Sequence, residues 1–240
     1  MTPALPAAVW LDLAFALPAV AVAVAMRPWR ALPTSGALPW PWLAWCAVLP
    51  LLWGADHLGA NPLVPALSGS GLLMLMMGWP LAVLALVPVA ALTGLVADLP
   101  LADIVHRFVW LGLVPATLAM LLGAAIRRWL PRHLFVYILG RGFFATALAT
   151  MLAGFAALGL QSVPVGTSPA DLLLARGLMA WGDAFIAGMI VSIFVAFRPE
   201  WLATYSDRLY LPLHREAVRE TVREAVREPA RDRSTDHDPR

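Results

Sequence analysis

Seven apolar stretches follow one another between residues 8 and 197: 8–26, 38–55, 62–77, 81–97, 108–126, 134–158 and 172–197. A helix needs about 20 mainly apolar residues to cross the hydrocarbon layer of a bilayer. Backbone in lipid must also satisfy its own N–H and C=O groups, which leaves helices or closed barrels. Runs of this length read as helices, not strands. The pattern predicts an all-α fold: a polytopic integral membrane bundle of about seven transmembrane helices over residues 1–199. Composition agrees. Hydrophobic residues make up 60% and charged residues 13%, against about 45–50% and 25% in soluble domains. Mean hydropathy is +0.75. An ordinary soluble domain and a disordered chain are both excluded.

The third and fourth stretches divide least clearly. Residues 62–97 are too long for one crossing and short for two. Gly78, Trp79 and Pro80 break the run, because Gly loosens the backbone and Pro removes a donor. A tight helical hairpin with short or partly re-entrant arms is expected there.

Loop charges set the expected orientation. Arg27 and Arg30 follow the first stretch; Arg127, Arg128 and Arg132 follow the fifth; Arg198 follows the seventh. The alternate connections carry Asp56, Asp98, Asp103 and Asp171, with Arg107 as their single base. Arginine accumulates on the cytoplasmic side, so the N-terminus is expected outside and the C-terminus inside, in a bacterial inner (plasma) membrane. The first residues lack the basic region of a cleavable signal, so the first stretch reads as a retained span. Trp10, Trp29, Trp40, Trp53, Trp110, Trp129 and Trp201 fall near span ends, as interfacial belts do.

Residues 200–240 are a different material, with 8 Arg and 9 acidic residues. Between 213 and 228, Arg-Glu pairs recur every four residues with Val218, Val222 and Val226 on one stripe. That predicts a charged cytoplasmic helical extension, stopped by Pro229 and followed by a disordered end.

Several chemistries are excluded. All 17 basic side chains other than histidine are Arg, since the sequence holds no Lys. A Walker lysine and a Schiff-base lysine are therefore impossible. Cys46, the single cysteine, can form neither an internal disulfide nor a thiolate cluster, and it reads as a small apolar core residue. No catalytic-triad, zinc-protease or dinucleotide motif is present, and no basic face suits nucleic acid. The chain is not expected to be an enzyme or to hold a cofactor.

Ionisable groups within the membrane are costly and commonly face a cavity or a partner. Arg141 in the sixth stretch and Arg176 and Asp183 in the seventh are the candidates for an intramembrane ion pair or gate. Asp183 is expected to pair with one of the arginines. Asp12, near the outer end of the first stretch, is expected to snorkel. On the outer face, Asp56, His57, Asp103 and His106 form a second candidate set for a metal or substrate. Asp103 and His106 have the i,i+3 spacing of one helical face, and imidazole with carboxylate suits divalent transition metals such as cobalt or nickel. His133 and His214 read as surface groups. The small-residue stretch 67–71 reads as a place for close helix approach.

Three stretches resemble a known family. SGSGLLMLMMGWP at 68–80, LFVYILGRGFF at 134–144, and WGDAFIAGM at 181–189 running into FRPEW at 197–201 resemble the cobalt/nickel-type membrane components of energy-coupling-factor transporters, in particular their proteobacterial permease-like relatives. The resemblance implies a substrate-capturing integral membrane subunit that works with a transmembrane coupling subunit and cytoplasmic ABC ATPases. It also implies an N-terminal Met-His dipeptide and a further His before the small-residue stretch as metal ligands. Here those positions hold Met1-Thr2 and Ala66. The fold is expected to carry over and the family's metal site is not; His57 is the nearest replacement. The alternative expectation is a non-transporting accessory or assembly subunit, whose partners would be other membrane-complex subunits and membrane lipid.

Overall fold

A computed structural model describes residues 7–31, 39–58, 66–131, 133–160 and 168–205. Residues 206–240 of the charged extension, His214 among them, together with Arg132 and the first six residues, lie outside the described residues. Every regular element among the described residues is helical. Helix α1 spans Ala7–Ala25, α2 Trp40–Trp53, α3 Ala55–Leu58, α4 Ser70–Met77 and α5 Trp79–Val96. Helix α6 runs Leu101–Trp129, α7 Val136–Leu160 and α8 Pro169–Phe197.

Five segments are long and apolar enough to cross a membrane: Ala8–Arg30, which takes in all of α1 but its first residue, and helices α5, α6, α7 and α8. Two of the seven expected segments are shorter. Helix α2 has 14 residues, about 21 Å at 1.5 Å per residue. Among its described residues the third stretch is helical over the 8 residues of α4, preceded by non-helical backbone at 66–69. Two features interrupt that stretch. Gly69 sits in the left-handed region at φ 61°, and the serines flanking it bond side chain to side chain instead of facing lipid. Gly78, at φ 79°, makes the turn into α5.

Helix α4 is the centre of the molecule. All seven residues from Ser70 to Met76 are buried, enclosed by α2, α5, α6 and α7. Helices α7 and α8 approach closely because their shared face is built from small residues, including Ala149, Ala153, Ala184 and Ala187, all buried. A Cβ on Gly142 would lie 3.3 Å from Val191 Cγ1 and 3.6 Å from Gly188 Cα.

Two of the long helices contain widened π segments, Phe108–Leu113 in α6 and Val136–Phe144 opening α7. The first has an identifiable cause. Pro115 has no N–H, so the Leu111 carbonyl lacks its α-helical donor four residues on. The Ser68 hydroxyl donates to that carbonyl at 2.6 Å. Helix α6 also begins seven residues before the expected boundary. Asp103, His106 and Arg107 thus stand on a helix, not in a connecting loop.

The tryptophans divide into two groups. Trp10, Trp29, Trp40 and Trp129 are half or more exposed on the bundle surface, as an interfacial belt requires. Trp53 and Trp110 are buried, which corrects their expected place in the belt. Each spends its indole N–H inside the bundle, Trp53 on the Ser68 carbonyl and Trp110 on Asp12.

Candidate functional site

The buried polar groups fall in three places along α4: at its N-terminus, at its C-terminus, and at the end of the bundle that carries Asp12. At the N-terminus, the Gly69 amide donates to Asp183 Oδ1 at 2.8 Å, and Thr150 Oγ1 donates to Asp183 Oδ2 at 2.9 Å. Asp183 is 4% exposed. A carboxylate at a helix N-terminus is favoured by both the free amides and the macrodipole. The Ser68 and Ser70 hydroxyls bond each other at 2.7 Å, and Trp45 Nε1 donates to the Gly69 carbonyl at 2.9 Å. The unwound backbone at Ser68 and Gly69 thereby finds partners from α2 and α8, while the Ser68 hydroxyl bonds α6. Irregular backbone at membrane depth persists only when protein satisfies it in this way.

This arrangement corrects the expected ion pair. Among the described residues no ion pair involves Asp183, whose two oxygens are taken by a backbone amide and a hydroxyl. Arg176 stands seven residues before Asp183 on α8, about 10 Å along the axis. Its side chain packs over Gly154. Arg141 lies at the opposite end of α4.

At that C-terminal end, the chain after α8 folds back onto α4. The Ala203 amide donates to the Met76 carbonyl at 3.0 Å, and Thr204 Oγ1 donates to the Leu75 carbonyl at 2.9 Å. Tyr137 OH lies 2.9 Å from Thr204 Oγ1, and Arg141 Nη1 donates to the Thr204 carbonyl at 3.2 Å. The Arg141 guanidinium also stands 5.4 Å from the Tyr137 ring centre, a cation–π distance. Trp42 Nε1 fixes the same return segment through the Trp201 carbonyl at 2.9 Å. Serines at the N-terminus and a threonine at the C-terminus thus give the buried half-helix partners at both ends, for the Ser70 amide at one and the Leu75 carbonyl at the other.

At the Asp12 end the structure brings together residues that were expected apart. Asp12 does not snorkel. It is 2% exposed and accepts from Trp110 Nε1 at 2.8 Å, with His106 Nδ1 at 2.9 Å. His106 therefore faces Asp12 on α1, and Asp103 is exposed one turn away. Arg107 donates through Nη2 to Asp56 Oδ2 at 2.7 Å and through Nη1 to the Trp53 carbonyl. The single base of the aspartate-bearing connections is thus neutralised by Asp56. His57 is exposed beside Asp56. Among the described residues no three His, Cys, Asp or Glu side chains gather to hold a metal ion. His133 is stacked on Phe135, with 5.8 Å between ring centres.

Asp12→Ala is expected to cost about 2–4 kcal/mol of stability, because it orphans the buried Trp110 N–H and removes the His106 partner. Asp12→Asn, which keeps an acceptor for Trp110, should lose less than half of that. Thermal unfolding of the detergent-solubilised variants measures the difference.

Sequence reading missed Asp12, Thr150 and Thr204. For Asp12 a signal existed: a carboxylate inside an apolar run requires a partner, and the His106 to Trp110 i,i+4 pair presents two donors on one face. For Thr150 and Thr204 no local signal exists, because each acts on a group far away in sequence, the Asp183 carboxylate and the Leu75 carbonyl. Comparison of the chain with known protein families, with curated proteins and with solved structures finds no match.

Proposed function

We propose that the chain is a multi-pass subunit of a bacterial inner membrane, of the substrate-capturing, permease-like kind found in energy-coupling-factor transporters. One observation carries this reading. The three stretches behind the resemblance, distant in sequence, converge on one buried half-helix. Ser68 to Met77 forms it with its lead-in; Asp183 from the last stretch meets its N-terminus; Tyr137 and Arg141 from the middle stretch brace the segment that closes its C-terminus. Discontinuous helices at the membrane midplane are where transporters build their substrate sites.

Seven passes, N-terminus outside, fit the same contacts. Helix α2 is tied at one end to Trp201 and at the other to Arg107. Residues 66–77 reach from the neighbourhood of Trp53 to Ala203. Helix α2 then completes its pass on the bundle surface, with Leu43, Val48 and Leu51 exposed, and residues 66–77 complete theirs inside the bundle, where surrounding protein replaces lipid. Arg27, Arg30, Arg127 and Arg198 collect at the Trp201 end, which the positive-inside rule makes cytoplasmic.

A second reading, a non-transporting accessory or assembly subunit, is favoured by the lack of a three-ligand group among the described residues, with Thr2 and Ala66 in the resembled ligand positions. Purification of the tagged full chain from native membranes, with its companions identified by mass spectrometry, separates the two. Stoichiometric recovery of cytoplasmic ABC ATPases with a membrane coupling subunit is the expected result. Recovery of respiratory or other membrane-complex subunits without any ATPase overturns it in favour of the second reading.

A further inference from the structure

A half-open groove of about 750 Å³ lies at the Trp201 end of the bundle, between the end of α1, the start of α2 and the α4–α5 turn. Its body is apolar, formed by Met26, Trp42, Met77 and Leu81, and its rim carries Arg27 and Arg30. No carboxylate lines it among the described residues. Both arginines are exposed, and neither belongs to any ion pair among the described residues.

The local backbone explains why the two arginines share one opening. Helix α1 ends at Ala25, and a 3-10 turn follows over Pro28–Ala31. The Arg30 amide donates to the Arg27 carbonyl at 3.1 Å. Arg27 stands just before that turn, and this bond keeps it beside Arg30. Arg27 holds φ 48°, the left-handed position that ends many helices and that glycine occupies at least cost. A side chain there crowds the following carbonyl, which disfavours every residue but glycine. Arginine stands in that position and is aimed at the groove rim.

We propose that this groove binds an anionic phospholipid, its phosphate held between Arg27 and Arg30 and an acyl chain laid along Met26 and Leu81. The pairing of a cationic rim with an apolar trough matches an amphiphilic anion and nothing purely polar. Basic pockets between transmembrane helices on the cytoplasmic side take anionic headgroups. Met26 and Trp29, each half or more exposed, extend the trough towards the surface where lipid stands.

The test uses the purified full chain in a neutral detergent, titrated with phosphatidylglycerol or phosphatidylcholine, with bound lipid counted by native mass spectrometry. Wild type is expected to retain phosphatidylglycerol about thirtyfold better than phosphatidylcholine, from about 1 kcal/mol per arginine. Arg27→Gln with Arg30→Gln should abolish that preference, and Arg27→Lys with Arg30→Lys should keep most of it. Arg127→Gln with Arg128→Gln, equal in charge but outside the groove, should leave it intact. Ala203→Phe fills the groove while keeping both arginines, and should also abolish retention, so a misfolded glutamine variant would not spare the proposal. Equal losses in the two glutamine pairs would reduce the effect to general surface charge and overturn it. Displacement of the lipid by millimolar inorganic phosphate would overturn it in favour of a free-anion site. Absence of any phosphatidylglycerol preference in wild type would also overturn it.

Discussion

Asp183→Ala is expected to destabilise the solubilised chain by about 2–4 kcal/mol, and Asp183→Asn by about 1 kcal/mol or less. The asymmetry follows from what each side chain leaves behind. Alanine strands the Gly69 amide, which sits at the start of a buried helix. It also releases the Thr150 hydroxyl, which can turn back to a carbonyl of its own helix and so loses less. Asparagine keeps a carbonyl oxygen for Gly69 and presents its amide to Thr150 Oγ1. It gives up only the charge at the α4 N-terminus, a few tenths to 1 kcal/mol. Thermal unfolding followed by size-exclusion recovery in detergent measures both. Equal damage from Asn and Ala would mean that the charge matters and the acceptor does not. A harmless alanine would remove Asp183 from the α4 N-terminus altogether.

Gly69→Ala carries the second large effect, about 3 kcal/mol or more. Two costs add. At φ 61° an alanine pays about 1–2 kcal/mol for the left-handed backbone. Its Cβ would also lie 2.5 Å from Leu49 Cδ2 and 3.1 Å from Trp45 Cζ2. Leu49 is fully buried, and Trp45 is held by its hydrogen bond to the Gly69 carbonyl itself. Neither side chain can retreat without breaking something else, and overpacking of this kind costs about 1–3 kcal/mol. Leu49→Ala in the Gly69→Ala background should recover part of the loss. If the double variant is as unstable as the sum of the singles, the steric argument fails. Gly78, also at positive φ, has open space around its missing Cβ, so Gly78→Ala shows the backbone penalty alone.

The bundle was legible in the sequence because hydropathy is a local property: each apolar run announces itself. The five long helices fall within a few residues of their expected places, except α6, whose first turns carry Asp103, His106 and Arg107 and so read as a connection. The polar centre was legible only in part. Asp183, Arg141 and the serine-glycine stretch are conspicuous in an apolar chain, and all three lie at or near α4. Their partners were not legible. The expected bond between opposite charges is the default for a buried carboxylate, but a helix N-terminus supplies the same compensation from amides, and amides leave no mark in a sequence. Trp53 and Trp110 misled for a related reason. An indole near a span end suits the interface equally well as it suits a buried acceptor, and only the fold decides which is near.

The half-helix also sets a timetable. Gly69 and Asp183 are 114 residues apart, and Leu75 and Thr204 are 129 apart. At about 5–20 residues per second, roughly 6 to 26 seconds pass between synthesis of α4 and the arrival of the groups that close its two ends. During that interval its terminal amides and carbonyls must be sheltered by water or by the insertion machinery. Ribosome stalling before residue 183 should therefore leave this segment open to protease while α1 and α5 are already protected.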